Sequence, residues 1–165
     1  MRKLGYLIAI AGVACLWSAG AAAQTKFSGT CSCKRDQQQV LPVGDRPGHS
    51  LGVEQYKCDW SKPFTLGGDN SKDGVATHTA DVSGLKSRFR GVHVITMQSG
   101  DKVSLPYQGA GENSKDGKES HSKGTFTFAD GTGKLKGTTG KGTFSCSGGG
   151  DTVSCDVEGE YQAAK

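Results

Sequence analysis

The fold class is decided by Val153-Ser154-Cys155-Asp156-Val157-Glu158-Gly159-Glu160-Tyr161-Gln162, a segment near the carboxyl terminus. Its odd-numbered positions are apolar or glycine, and its even-numbered positions are polar or charged. Successive side chains of a β-strand point to opposite sides, so this alternation is typical of a strand with one buried face. The segment therefore predicts a strand that turns Cys155, Val157 and Tyr161 into the core.

The same alternation recurs between short stretches of Gly, Asn, Asp and Ser, and no segment carries a helical stripe over three turns. Arg88–Gln98 places Phe89, His93 and Ile95 on one face. Weaker strands are predicted at Phe27–Lys34, Gln38–Val43, Leu51–Trp60, Val75–Val82, Lys102–Tyr107, Thr125–Phe128 and the segment around Phe144 and Cys146. Eight or nine antiparallel strands favour a closed all-β barrel, because closure removes exposed sheet edges.

The first 23 residues are typical of an export signal. Met1-Arg2-Lys3 is a short positive start, Leu4–Trp17 is almost wholly apolar, and Ala21-Ala22-Ala23 offers small residues at a cleavage site before Gln24. A lipoprotein anchor at Cys15 is the competing interpretation. The sequence thus predicts a signal peptide at 1–23, one barrel domain at 24–165, and a periplasmic or extracellular location.

The composition excludes some partners. Loss of Arg2 and Lys3 with the signal lowers the formal net charge of +4 by two, and such a near-neutral chain is not expected to bind nucleic acid. Beyond the signal, no apolar stretch is long enough to span a bilayer as a helix. Nothing in the sequence indicates an oligomeric state.

Export makes disulfides the expected state of the remaining cysteines, Cys31, Cys33, Cys58, Cys146 and Cys155. Their odd number leaves at least one thiol free or paired between chains if the others form bridges. Cys58 is expected to pair with Cys31 or Cys33. Because those two are spaced i, i+2 and share one face of a strand, spacing does not choose between them.

The last hairpin fixes a second expected bridge. Between Cys146 and Cys155, Gly150-Asp151 is a natural two-residue turn. Counting outward from that turn places the two cysteines on a non-hydrogen-bonded pair, where Cα atoms approach to about 4.5 Å, within disulfide geometry. The alternative is a pair of small buried thiols, and export favours the bridge.

One polar segment occurs twice. Residues 68–79 return as residues 111–122, with Asn-Ser-Lys-Asp-Gly identical in both copies and a histidine, His78 or His121, four residues after the shared glycine. The sequence predicts that both copies are strand-connecting turns, because Asp before Gly suits a tight turn. The alternative is that His78 and His121 converge on one ligand.

The repeated segment does not predict a metal site. Its first copy begins like a calcium loop, but Ala80 occupies the twelfth position, where that loop needs a bidentate Glu, and Lys123 occupies it in the second copy. For zinc, the sequence offers no close His pair and no Cys-x-x-Cys motif that could supply ligands. We expect no metal and no cofactor, and we expect both histidines on the surface of a strand.

The common catalytic signatures are absent from the sequence: it has no nucleophile elbow, Walker loop, zincin motif or dinucleotide fingerprint. Trp60 is expected to pack in the core, with stacking on a ligand as the alternative. Asp45 and His49 flank a Pro-Gly turn and are expected as solvated charges, with acid–base work at a barrel rim as the alternative.

A glycine-rich run follows the predicted Thr125–Phe128 strand. It reads Asp130-Gly131-Thr132-Gly133-Lys134-Leu135-Lys136-Gly137-Thr138-Thr139-Gly140-Lys141-Gly142-Thr143-Phe144. This run resembles the late strand pair of allene oxide cyclase-like and dirigent-like barrels, and a segment of small exported bacterial proteins of unknown function. The resemblance implies an eight-stranded antiparallel barrel with an apolar interior, in families that handle oxylipins or phenolic radicals. No position here matches the catalytic residues of those families.

Two functions are compatible with these features. The first is an exported, non-enzymatic barrel that binds a small apolar molecule or serves in the cell envelope. The second is a cyclase- or isomerase-like enzyme whose cavity orients a hydrophobic lipid or phenolic substrate. A cavity lined by converging polar groups favours the second, and a barrel filled with side chains favours neither. The lack of a recognisable reactive group favours the first.

Overall fold

The computed structural model describes residues 24–163, so the predicted signal at 1–23 lies outside the described residues. The described chain is almost entirely β-structure. Its strands, in chain order, are β1 Thr25–Pro42, β2 His49–Lys62, β3 Thr65–Leu66, β4 Asp69–Ser83, β5 Lys86–Met97, β6 Lys102–Asn113, β7 Ser120–Thr127, β8 Asp130–Gly131, β9 Thr139–Gly149 and β10 Thr152–Gln162. A single turn of 3-10 helix occupies Gly133–Leu135. No helix within residues 24–163 is long and apolar enough to cross a membrane.

Eight long strands close into an antiparallel barrel. The sheet order runs β2-β1-β10-β9-β7-β6-β5-β4, and β4 also pairs with β2 to complete the circle. The predicted all-β closed barrel is therefore confirmed. Its interior face follows the alternation of the sequence: Cys155 and Tyr161 on β10 are buried, while Ser154, Asp156 and Glu158 on the opposite face are exposed.

Strand β1 differs from the sequence-based prediction. Phe27–Lys34 and Gln38–Val43 were expected as two strands, and they form one strand that carries a β-bulge between Arg35 and Gln37. An extra residue at a bulge shifts the alternation of the strand beyond it. As a result Gln38 and Val40 face the barrel interior. A single sequence offers no clear signal for such an insertion.

The repeated segment also behaves differently in its two copies. The second copy forms the expected turn, with Gly117 at φ +68° between β6 and β7. The prediction of a turn for the first copy is wrong, because Asn70 to Gly74 lie inside β4. Gly74 is required there for space: a Cβ atom would lie within 3.0 Å of the Val94 carbonyl oxygen and would overlap the His93 ring.

One end of the barrel is filled by side chains. The β3–β4 hairpin folds over this end, held by the Gly67 amide, which donates to the Tyr161 hydroxyl at 3.0 Å. The glycine-rich run was expected as a strand pair, and its first part instead forms β8 and the 3-10 turn, which place Leu135 in the core. We call this the closed end; its buried residues are Phe27, Phe64, Leu66, Met97, Phe128, Leu135 and Tyr161.

The opposite end lies beneath the connecting segments 43–48, 84–85, 114–119 and 150–151. We call it the open end, because the interior cavity described below extends to residues of these segments, among them Leu85, Lys115 and Gly150. Here β9 and β10 are joined by the predicted Gly150-Asp151 turn, with Gly149 opposite Thr152. That register places Cys146 directly opposite Cys155.

We expect Gly74→Ala to lower the free energy of unfolding by about 1–3 kcal/mol, because the added methyl group meets the Val94 carbonyl and the His93 ring. Gly52→Ala is the matched control: Gly52 is also a strand glycine, and its Cβ would meet only ordinary contacts, the nearest at 3.4 Å. Urea titration followed by Trp60 fluorescence measures both changes. An equal effect of the two substitutions would contradict the proposed role of Gly74.

Candidate binding cavity

The barrel encloses a cavity of about 670 Å³ between the packed closed end and the open end. Its wall is largely aromatic and aliphatic, and it also includes polar side chains from several strands, such as Glu54, His78 and His93. The residues that line it deepest include Tyr56, Trp60, Phe89, His93, Leu105, Tyr107, Phe126, Phe144 and Val157. A cavity of this size and character is typical of a site for a small organic molecule.

A cluster of polar side chains converges on Glu54, which lies on the interior face of β2. The Tyr56 hydroxyl donates to one carboxylate oxygen of Glu54 at 2.7 Å, and the Gln38 amide donates to the other at 2.8 Å. His78 Nε2 lies 3.6 Å from Glu54, and His78 Nδ1 bonds the Tyr107 hydroxyl at 2.8 Å. We call these five residues the Glu54 cluster.

The Glu54 cluster keeps a negative charge inside the barrel. The neighbouring His78 imidazole, with the hydroxyl of Tyr56 and the amide of Gln38, lowers the pKa of Glu54 to about 2 against the opposing effect of burial. Burial raises the pKa of both Tyr56 and Tyr107 well above the usual phenol range. At neutral pH the cluster therefore contains an ionised carboxylate and two protonated phenols.

Arg35 links this cluster to the open end. Its guanidinium lies 3.9 Å from Glu54 and reaches the β9–β10 turn, where it bonds the Gly150 carbonyl at 2.8 Å and the Asp151 carboxylate at 2.8 Å. The guanidinium thus brings positive charge to a cavity that already holds a carboxylate. It also holds the β9–β10 turn next to the Glu54 cluster.

Three buried polar atoms have no hydrogen-bond partner among the described residues: Arg35 Nε, Trp60 Nε1 and His93 Nε2. All three side chains line the cavity. Burial lowers the pKa of His93 to about 4, so its imidazole is neutral at physiological pH. An unpaired buried polar atom costs free energy, and a partner that enters the cavity would recover that cost.

All five cysteines within residues 24–163 face the cavity. Disulfides join Cys146 to Cys155 and Cys33 to Cys58, which leaves the buried Cys31 as a free thiol. The register explains the choice that sequence left open, because Cys33 lies directly opposite Cys58 and Cys31 lies opposite Trp60. Disulfide bonds, expected from the predicted export, are therefore present in the structure.

The structure separates the two histidines of the repeated segment. His78 points into the cavity, stacked on Tyr56 with ring centroids 5.7 Å apart, so its expected place on the surface is wrong. His121 has an exposed side chain on β7, next to the open end, as expected. Strands β5 and β6 lie between β4 and β7. The arrangement therefore does not bring the two imidazoles together at one polar cluster.

Trp60 lies in the core and Asp45 is exposed, as the sequence predicts, whereas the expectation of a solvated His49 is wrong, because its side chain is only 10% exposed. The Trp60 ring is buried and packs edge-on against the Phe64 ring, with centroids 4.6 Å apart. The Trp60 side chain also lines the cavity. His49 lies between two carboxylates, with Nδ1 2.5 Å from Asp45 and Nε2 3.1 Å from Asp81. Asp45, His49 and Asp81 lie beside the open end and do not line the cavity. Its contacts tie the 43–48 connection to β4.

Sequence reasoning missed Glu54, Tyr56, Tyr107 and Arg35. A signal for the first two was present, because Cys58 and Trp60 were expected inside and a period of two extends that face to Tyr56 and Glu54. Tyr107 follows from the interior face of β6 in the same way. The same period of two extends the face of Cys31 and Cys33 to Arg35, but a charged side chain is rarely expected in a barrel interior.

Comparison with known proteins identifies the fold but not a family. No family model and no curated protein matches the chain. A conserved protein of unknown function from Rhodopseudomonas palustris superposes with a TM-score of 0.55 at 9% identity, covering 84% of this chain and 98% of that one. A beta-barrel like protein from Acinetobacter baumannii gives 0.50 at 14% identity, covering 84% of this chain and 95% of that one.

A pterocarpan synthase dirigent protein is a further structural neighbour, with a TM-score of 0.48 at 12% identity, covering 96% of this chain and 98% of that chain. The eight-stranded antiparallel barrel that the resemblance of the glycine-rich run implies is present in the structure itself. Identities this low carry no statement about activity, so the class defined here is a small closed β-barrel with an internal, partly polar cavity.

We expect two separate pH windows of stability loss. Glu54 has a folded pKa of about 2 against 4.5, so its contribution is complete above about 4.5 and is lost as the pH falls towards 2. His93 has a folded pKa of about 4 against 6.5, so the unfolded chain binds the proton first and stability falls between 6.5 and 4. Denaturant unfolding from pH 8 to pH 2 measures both windows.

The variants assign each window to its residue. Glu54→Gln should flatten the curve only in the lower window, and His93→Phe only in the upper one. A Glu54→Gln protein whose acid sensitivity equals that of the parent below pH 4 would show that the carboxylate is not stabilised by its neighbours.

His78→Ala and His121→Ala should differ in their effect on stability. Removal of His78 takes the hydrogen-bond partner from the Tyr107 hydroxyl and one of several neighbours from the Glu54 carboxylate, which should cost about 1–3 kcal/mol. His121 is exposed, so its truncation should change stability by less than about 0.5 kcal/mol. Thermal melts of both variants test this difference, and equal shifts would contradict the placement of His78.

Proposed function

We propose that this chain is an exported barrel protein that binds one small, largely apolar molecule in its cavity. The observation that carries the proposal is the cavity of about 670 Å³, whose aromatic and aliphatic wall includes the hydrogen-bonded Glu54 cluster. Sites for small organic molecules combine these features, since the apolar wall provides affinity and a few placed polar groups set orientation.

The wall favours a ligand with an aromatic or unsaturated body. Phe89 and Phe144 both lie 6.2 Å or less from Tyr107, with the Phe144 and Tyr107 rings nearly perpendicular. Such tilted rings present both faces and edges, which is the arrangement that another ring fits most readily. The ligand's apolar surface would replace water against these side chains.

The polar side favours a ligand that also carries a hydrogen-bond acceptor. Arg35 Nε and Trp60 Nε1 are donors only, and neither has a partner among residues 24–163. A carbonyl, ether or hydroxyl oxygen would satisfy such a donor. A second carboxylate is disfavoured close to Glu54, because two anions in a low-dielectric cavity repel each other.

Export is supported by the state of the cysteines. The structure has two disulfides, and such bonds are typical of oxidising compartments such as the periplasm and the cell exterior. An exported binding protein needs a closed fold that resists proteolysis, and disulfides between neighbouring strands contribute to that resistance by limiting the unfolded chain.

Proton-transfer catalysis on the bound molecule is a second candidate. The observation that favours it is the chain of contacts from Glu54 through His78 to the Tyr107 hydroxyl, which lines the cavity. An imidazole between a carboxylate and a phenol can hold or pass a proton at a fixed position. An isomerase-like reaction would need such a group beside its substrate.

Binding is tested with N-phenyl-1-naphthylamine, a neutral aromatic probe whose fluorescence rises in apolar surroundings. The parent should bind it saturably, and Val82→Trp should weaken binding at least tenfold, because Val82 lines the cavity next to the open end. Val92→Trp is the matched control, since Val92 is exposed on the outer wall. An absence of saturable binding by the parent, or equal weakening by both variants, would refute the cavity as the site.

Native mass spectrometry of the protein from its source identifies a co-purifying molecule by its mass, and chromatography of the released molecule, which resolves isomers of equal mass, separates the two candidates. A co-purifying molecule that is recovered unchanged after long incubation supports binding alone. A mass-neutral isomer that accumulates with the parent and not with Tyr107→Phe would support catalysis. Tyr107→Phe removes only the hydroxyl that contacts His78, so the probe should still bind to it.

A further inference from the structure

Three sulfur atoms meet on the wall of the cavity. The Sγ atoms of Cys31, Cys33 and Cys58 all lie within 4.8 Å of one another, and each residue is buried. Cys33 and Cys58 share the disulfide, whereas Cys31 is a thiol whose sulfur is 3.7 Å from that of Cys33. The free thiol is therefore in contact with one end of a disulfide bond.

A second disulfide, between Cys31 and Cys33, lies within the accepted range of Cα separation. Cys31 and Cys33 are two residues apart on one face of β1, and a strand rises about 3.3 Å per residue, which separates their Cα atoms by about 6.6 Å. Disulfides accept Cα separations of up to about 6.8 Å. The Cβ atoms of two such parallel side chains are farther apart than the roughly 3.5–4.5 Å of a disulfide, so a Cys31–Cys33 bond needs a local distortion of β1 at Ser32 as well as rotation of the side chains.

We propose that Cys31, Cys33 and Cys58 form a thiol–disulfide exchange site inside the barrel. The Cys31 sulfur, as the thiolate, attacks Cys33 Sγ; the Cys31–Cys33 bond forms as the Cys33–Cys58 bond breaks. Cys58 leaves as a thiolate and takes up the proton that Cys31 released. The step neither gains nor loses electrons, so it needs no external oxidant or reductant, and Cys33 is bonded in both forms.

The surroundings make this exchange slow but accessible. Burial, assisted by the negative charge of Asp156, raises the pKa of the Cys31 thiol to about 12. The thiolate is the attacking species, so the rate should rise about tenfold for each pH unit from 7 to 9. All three cysteines line the cavity, so the thiol produced at Cys58 stays on the wall where a ligand would bind.

Thiol mapping of the folded, oxidised protein tests the proposal. The protein is incubated at pH 9, and samples are transferred at intervals to denaturant at pH 5 with N-ethylmaleimide, where little thiolate remains to scramble disulfides. Peptide mass spectrometry then locates the label. We expect label on Cys31 at first and on both Cys31 and Cys58 later, with none on Cys33.

Each other pattern overturns the proposal. Label confined to Cys31 at all times would show that no exchange occurs. Label on Cys33 would place the attack at Cys58, and label on Cys146 or Cys155 would indicate exchange with the hairpin disulfide instead. Cys31→Ser is the control: it lacks the attacking thiol and should incorporate no label, so label on its Cys58 would mean that the disulfide opens by another route.

A trapped form gives an independent measurement. Cys58→Ser should contain a Cys31–Cys33 disulfide and no reactive thiol when it is purified under the same oxidising conditions. Two reactive thiols in folded Cys58→Ser would contradict the proposal. If this variant does not fold, the time course with the parent still decides the question. Neither experiment depends on whether the cavity binds a ligand.

Discussion

The pairing of β2 with β4 is the constraint on which the rest of the molecule depends, because it closes the sheet. Closure turns one face of all eight long strands inward, so every second residue of each strand is committed to the interior. An eight-stranded barrel leaves room there for side chains or for one small ligand. Large side chains from the β3–β4 hairpin and the 3-10 turn, such as Phe64 and Leu135, fill only the closed end. The cavity occupies the rest of the barrel interior, between the closed end and the open end.

Closure also explains why Glu54 needs its neighbours. The alternation of β2 places this carboxylate on the interior face, where an unpaired charge would cost several kcal/mol. Tyr56, Gln38 and His78 lower that cost, and Arg35 adds a nearby positive charge. A well-packed apolar core would be as stable without such a group. A polar cluster maintained inside an aromatic wall therefore favours a role in recognition over a role in folding.

Much of this arrangement was predictable from single strands. Val153–Gln162 predicts its own buried face, and the Gly150-Asp151 turn predicts which cysteines lie opposite each other. Features set by distant residues were not predictable. Asn-Ser-Lys-Asp-Gly forms a turn in one copy and part of β4 in the other, because Gly74 lies against the ring of His93, which follows it by nineteen positions. The β-bulge at Arg35 depends likewise on pairing with β2, so the inward turn of Gln38 was invisible in the sequence.

The polar cluster and the sulfur cluster are mechanically linked through β2. Glu54, Tyr56, Cys58 and Trp60 are successive interior residues of this strand, so its register against β1 positions both clusters at once. The Cys33–Cys58 bond fixes that register one interior pair away from Arg35 and Tyr56. Transfer of the bond to Cys31 would remove this covalent tie between β1 and β2. The position of Arg35 beside Glu54 would then no longer be supported by a covalent link between β1 and β2. The disulfide state is in this way coupled to the polar side of the cavity.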